Sequence, residues 1–178
     1  MKKAWTTTTL LATLLAPAAA HAYNAISPGL MCARDTVTGA ADDSTHAMGA
    51  ASFVNGAAYF VTVWCPIWWN TGSVDPGVVT VTFHDYNTGA GTNSNVNCFA
   101  RLVTASGTVY TSSTSSSTGG QALGSPPQQM NLDTTVVGSP FPAGSITSTS
   151  SWGIMCTLPA VEGGSGLSAI DMYQSTQT

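Results

Sequence analysis

The chain has 178 residues, 43% hydrophobic and only 7% charged, with four lysines and arginines against eight acids. Lys2 and Lys3 both stand at the amino end, and past them Arg34 and Arg101 face all eight acids, a net charge of −6. That balance argues against nucleic acid and anionic membrane as partners, which need clustered cations. With no lysine past residue 3 it also excludes lysine nucleophiles and Schiff bases there.

Residues 1–22 read as a secretory signal. Lys2 and Lys3 supply the positive start, Leu10 to Ala20 the short apolar stretch, and Ala20-His21-Ala22 a small-x-small cleavage site. The processed chain is expected to begin at Tyr23 and to form one domain over 23–178, secreted or periplasmic. No later apolar run approaches the roughly 20 residues of a spanning helix.

Cys32, Cys65, Cys98 and Cys156 all follow the signal. An even count in an exported chain argues for disulfides. Four cysteines allow three connectivities. Cys32–Cys65 with Cys98–Cys156 is the favoured one, because the second pair would tie two alternating strands through one inward cysteine each.

In chain order the patterns are those of strands. AYFVTVWC sets Tyr59, Val61, Val63 and Cys65 against Phe60, Thr62 and Trp64, and VVTVTFHD sets Val79, Val81 and Phe83 against Thr80, Thr82 and His84. VNCFARLV groups Val96, Cys98, Ala100 and Leu102, and SWGIMCTL groups Trp152, Ile154, Cys156 and Leu158. A period of two marks half-buried strands. GTVYTS (107–112), QQMNLDTTVV (128–137) and LSAIDMY (167–173) are further candidates. NTGSVDPG (70–77) and NTGAGTNSN (87–95) punctuate them, and the low-complexity TSSTSSSTGG (111–120) reads as a flexible loop. Seven to nine short strands predict an all-β antiparallel sandwich, jelly-roll or immunoglobulin-like, with two disulfides.

VWCPI (63–67), VTFHDYNTGAGTNSNVNC (81–98) and IMCTLPA (154–160) together resemble a loose group of uncharacterised exported bacterial proteins. These carry a Val-x-Cys-Pro-Ile element, a Val-x-Val-x-Asp-x-Asn strand-and-turn and a late Cys-Thr-Leu/Ile-Pro element. The resemblance covers residues 32 to 160 and implies export and a disulfide-tied β-domain rather than an activity. The chain departs from it at Ile67-Trp68-Trp69-Asn70, where a more polar stretch is expected.

Trp64, Trp68 and Trp69 are the candidate ligand-binding residues. A tryptophan face suits stacking on a sugar, and its indole N–H suits a hydroxyl. The plainer reading is that Trp68 and Trp69 cap one end of the core. Trp64 is the better surface candidate by parity, since it lies opposite Cys65. The run Asp85-Tyr86-Asn87-Thr88-Gly89-Ala90-Gly91 begins like a calcium loop, but Gly89 replaces a ligand and no glutamate closes it; a hairpin turn explains the same residues. No metal site and no cofactor is expected. His84 and Asp85 are strand neighbours, so they point apart and form no dyad with each other. His46 has no visible nucleophile, GGSG (163–166) is not a nucleophile elbow, and Glu162 is the sole glutamate. No catalytic residue is assigned.

The function expected is a binding module, with glycan as the first ligand to test and another extracellular protein as the other partner. One alternative is a self-assembling surface protein. Another is a small extracellular hydrolase, which would need His46 or His84 gathered with acids and a serine in one cleft.

Overall fold

The computed structural model describes residues 23–34, 52–55, 59–68, 77–87, 94–135, 141–142, 144–160 and 167–177. The proposed signal, His46, Trp69, Glu162 and the GGSG run lie outside the described residues.

Among the described residues, eleven strands form two antiparallel sheets packed face to face, so the sandwich expectation holds. The first sheet runs β1 (Tyr23–Pro28), β11 (Ala169–Gln177), β5 (Val78–His84), β9 (Gln128–Asp133), with β3 (Phe53–Val54) continuing the β1 edge along β11. The second runs β2 (Ala33–Arg34), β4 (Val61–Pro66), β10 (Ser151–Leu158), β6 (Asn97–Val103), β7 (Val109–Thr111), with β8 (Ser115–Ser116) also on β6.

Alternation does what it predicts. Val79, Val81 and Phe83 face inward from β5, Cys98, Ala100 and Leu102 from β6, and Trp152, Ile154, Cys156 and Leu158 from β10, all nearly sealed from solvent. Each large apolar side chain so buried contributes roughly 1.5–3 kcal/mol. At one end Phe141 meets Trp152 edge-on, with ring centroids 5.4 Å apart. The Tyr173 hydroxyl of β11 crosses the sandwich and donates to the Pro66 carbonyl of β4 at 2.7 Å.

Both disulfides have the favoured pairing, Cys32–Cys65 and Cys98–Cys156. Cys98 and Cys156 stand directly opposite each other on β6 and β10. Cys32 continues the β2–β4 register, in which Ala33 faces Trp64, so it too stands across from its partner. Both bridges thus staple the second sheet across adjacent strands; neither joins the two sheets.

Two expectations need correction. First, the strands on either side of the Asp85–Gly91 run do not pair as a hairpin: β5 and β6 lie in different sheets. Among the described residues, the pairing of β6 with β7 is the one between consecutive strands. There Thr104 and Thr108 close a turn that needs Gly107 at φ +82°. Second, the serine-rich run is no free loop. The Ser112 hydroxyl accepts from the Ala100 N–H at 2.9 Å, and Ser117 accepts from the Val96 N–H at 3.0 Å. The Ser115 hydroxyl donates to the Asn131 carbonyl of β9 at 3.2 Å, closing one side of the sandwich. β1 was not among the expected strands, because it buries Ser27 and leaves Ile26 61% exposed.

Candidate functional site

The outer face of the second sheet carries the first tryptophan candidate. On β4 burial alternates, with Val61, Val63 and Cys65 inward and Thr62, Trp64 and Pro66 outward. The register then builds three rows across the sheet. Trp64 stands opposite Met155 of β10, and Met155 opposite Phe99 of β6. One step along, Pro66, Gly153, Arg101 and Thr111 line up. On the other side lie Thr62, Thr157, Asn97 and Ser116. The last row is polar and internally bonded: the Thr62 and Thr157 hydroxyls are 3.3 Å apart, and Ser116 donates to the Asn97 side-chain carbonyl.

Gly153 decides where the Trp64 indole lies. A Cβ there would stand 2.8 and 2.9 Å from Cζ2 and Cη2 of Trp64 and would strike the Cys65 carbonyl oxygen. The six-membered ring therefore occupies the space a side chain would take, resting against the backbone of the neighbouring strand. Arg101, directly across from Gly153, gives one Nη1 hydrogen to Met155 Sδ at 3.2 Å. It pairs with no carboxylate among the described residues, which leaves guanidinium donors beside the aromatic row.

Of the other candidates, Trp68 continues the alternation past buried Ile67 and is 62% exposed, so it does not cap the core. Trp69 is outside the described residues. The tryptophan that does fill the core is Trp152, 1% exposed. Sequence reading missed Phe99, Met155, Arg101 and Gly153. Phe99 and Arg101 were readable by parity from Cys98, but nothing in the sequence placed β10 between β4 and β6.

His84 and Asp85 do point apart. Asp85 turns inward and is fully buried, accepting from the Asn87 and Val96 N–H groups and the Ser168 hydroxyl, each at 3.2 Å, and from Ser117. It is an anchor for three chain segments, so its oxygens are already engaged. His84 instead meets Asp171, with Nδ1 2.8 Å from Oδ2. The ladder between β5 and β11 slips at this point: Ile170 faces Phe83 and Met172 faces Thr82, leaving Asp171 as the extra residue of a bulge. The Ser52 hydroxyl donates to Asp171 Oδ1 at 2.8 Å, and the Tyr86 ring stacks on the imidazole with centroids 5.2 Å apart.

No protein-family model matches the chain, and no curated protein matches it.

Proposed function

We propose that the protein is an exported glycan-binding domain whose binding surface is the outer face of the second sheet. The observation that carries this reading is the Trp64 ring laid over Gly153, beside the row in which Met155 and Phe99 stand opposite one another, with a row of hydroxyl and amide groups on that row's other side. A sugar ring has one apolar face and a rim of hydroxyls. Trp64 and Phe99 stand two strands apart, about 10 Å, with Met155 between them, and the neighbouring polar row supplies donors and acceptors. Arg101 adds strong donors at the margin, and Trp68, exposed beyond the end of β4, extends the surface.

The test is a glycan array on the oxidised protein, followed by calorimetry on the best ligand. Trp64→Ala and Phe99→Ala should each weaken binding at least 10-fold, which is 1.4 kcal/mol or more, while far-UV circular dichroism stays native. Trp64→Ala binding as tightly as the parent refutes the site. Retention of no glycan, with a mass by light scattering that rises with concentration, would replace the reading with assembly between copies.

A further inference from the structure

We propose that Arg101 makes the outer face of the second sheet selective for acidic sugars, its guanidinium taking the carboxylate of a uronic acid whose ring rests on Trp64. This inference rests on the glycan reading above and names the class of sugar that the same surface takes. It starts from the charge on that face.

Among the described residues, the rows of the outer face hold a single cation, Arg101, and no acid. The described acids lie elsewhere. Asp85 is buried between the sheets, and Asp133 and Asp171 stand on β9 and β11 of the first sheet. Taking a cation partly out of water is costly unless an anion pairs with it. Arg101 is half-buried, yet the bond its side chain makes goes to Met155 Sδ, an uncharged and weak acceptor. The charge is thus placed on the face without an anion of the chain to balance it.

The bond to Met155 also decides which donors stay open. It is made by Nη1. The other edge of the guanidinium, formed by the Nε hydrogen and the Nη2 hydrogen beside it, is uncommitted. Two parallel N–H groups in one plane match the two oxygens of a carboxylate. A lone sugar hydroxyl would use one of them and leave the charge unbalanced. Because Met155 already holds the side chain in place, less rotamer freedom is lost when the anion arrives.

The indole stands where this pairing needs it. Gly153 lies directly between Pro66 of β4 and Arg101 of β6. The Trp64 ring reaches across onto Gly153, so its edge is about one strand spacing from Arg101, roughly 5 Å. A pyranose stacked on the indole uses its apolar face. The carboxyl group of a uronic acid projects from the rim of the ring, so stacking and ion pairing do not compete for the same surface. Net charge narrows the class further. The −6 carried past residue 3 repels a densely sulfated polymer, whereas one guanidinium balances one carboxylate.

The experiment pairs each acid with its own uncharged form. Uronic acid oligosaccharides and their methyl esters, with sulfated and neutral sugars beside them, are arrayed against the oxidised full-length protein. Calorimetry on the best pair follows. The parent should bind the acid at least 10-fold more tightly than its methyl ester. Arg101→Gln should bring the acid down to the level of the ester, with ester affinity within about twofold of the parent's. Arg101→Lys keeps the charge but presents no two-hydrogen edge, so it should bind the acid at least threefold more weakly than the parent does. Thermal unfolding confirms that each variant is folded. Equal affinity of the parent for acid and ester overturns the proposal, as does a folded Arg101→Gln that keeps the preference, or a sulfated sugar bound more tightly than the carboxylated one. The glycan reading fails separately. Trp64→Ala that retains both acid and ester refutes the platform, whereas a platform that binds both alike refutes only the role of Arg101. No sugar bound by the parent refutes both.

Discussion

Replacing Gly153 with alanine should destabilise the sandwich and disturb the aromatic row in one step. The added Cβ would stand 2.8 and 2.9 Å from two Trp64 ring carbons and closer still to the Cys65 carbonyl. Carbon atoms prefer about 3.5–4.0 Å, so the indole must withdraw by roughly 0.7 Å or more. The carbonyl has less freedom, because it belongs to a strand paired along its length with β10. Overpacking of this kind costs about 1–3 kcal/mol, which for a domain of this size lowers Tm by roughly 2–12 °C. The assay is thermal and urea unfolding of the oxidised protein, with near-ultraviolet circular dichroism to follow the indole. Repeating the substitution in a Trp64→Ala background removes the ring clash and leaves the carbonyl clash, so the cycle apportions the cost. An unchanged Tm together with an unchanged aromatic spectrum would refute the close packing, and with it the reason Trp64 lies where it does.

Tyr173 supplies an alkaline test. Burial pushes its phenol up to about 12, against an ordinary 10.0, so the folded state holds the proton that the unfolded chain releases. The stability this provides is complete below about pH 10 and is lost as pH rises toward 12, a fall of roughly 2–3 kcal/mol. Tyr173→Phe should flatten that fall while costing about 0.5–1.5 kcal/mol at neutral pH for the lost bond to Pro66; parallel pH curves for the two proteins would count against the assignment. Removing the Cys98–Cys156 bridge with a double alanine variant should cost roughly 4 kcal/mol in the chain-entropy model, given a separation of 58 residues, read as a lower urea midpoint; no shift would mean the bridge constrains little. Asp85→Asn should lower stability by about 1–3 kcal/mol, because one acceptor oxygen is replaced by an amide N–H₂ turned toward existing donors; a midpoint within error of the parent would refute the anchor.

How much of this was legible in the sequence depends on which interaction set each feature. The inward rows of β4, β5, β6 and β10 follow from alternation alone, since one face of each strand is buried and the other is not. The pairing of Cys98 with Cys156 followed from the same parity. β1 was invisible because its inward residue is Ser27 and its outward one Ile26. Strand neighbours were not legible. Turn residues between β5 and β6 read as a hairpin, yet polar residues serve equally well where the chain crosses from one sheet to the other. The low-complexity serines read as a loop because their bonds to Ala100, Val96 and Asn131 are long-range and leave no period. The Asp171 bulge was equally hidden: one extra residue in LSAIDMY shifts a carboxylate against His84, and only the partner strand defines which residue is extra.

Strand order also bears on how such a chain is made. The centre of each sheet is one of the last two strands, β10 in the second and β11 in the first. Until those segments emerge, the rest of the chain can form only three separate ladders: β2 with β4, β5 with β9, and β6 with β7 and β8. β1 and β3 have no partner until β11 arrives. The sandwich therefore closes as a late, nearly single event. Until then those ladders stand apart, with no central strand to join them into sheets. A premature stop that removed β11 would take out the middle of a sheet, not its rim.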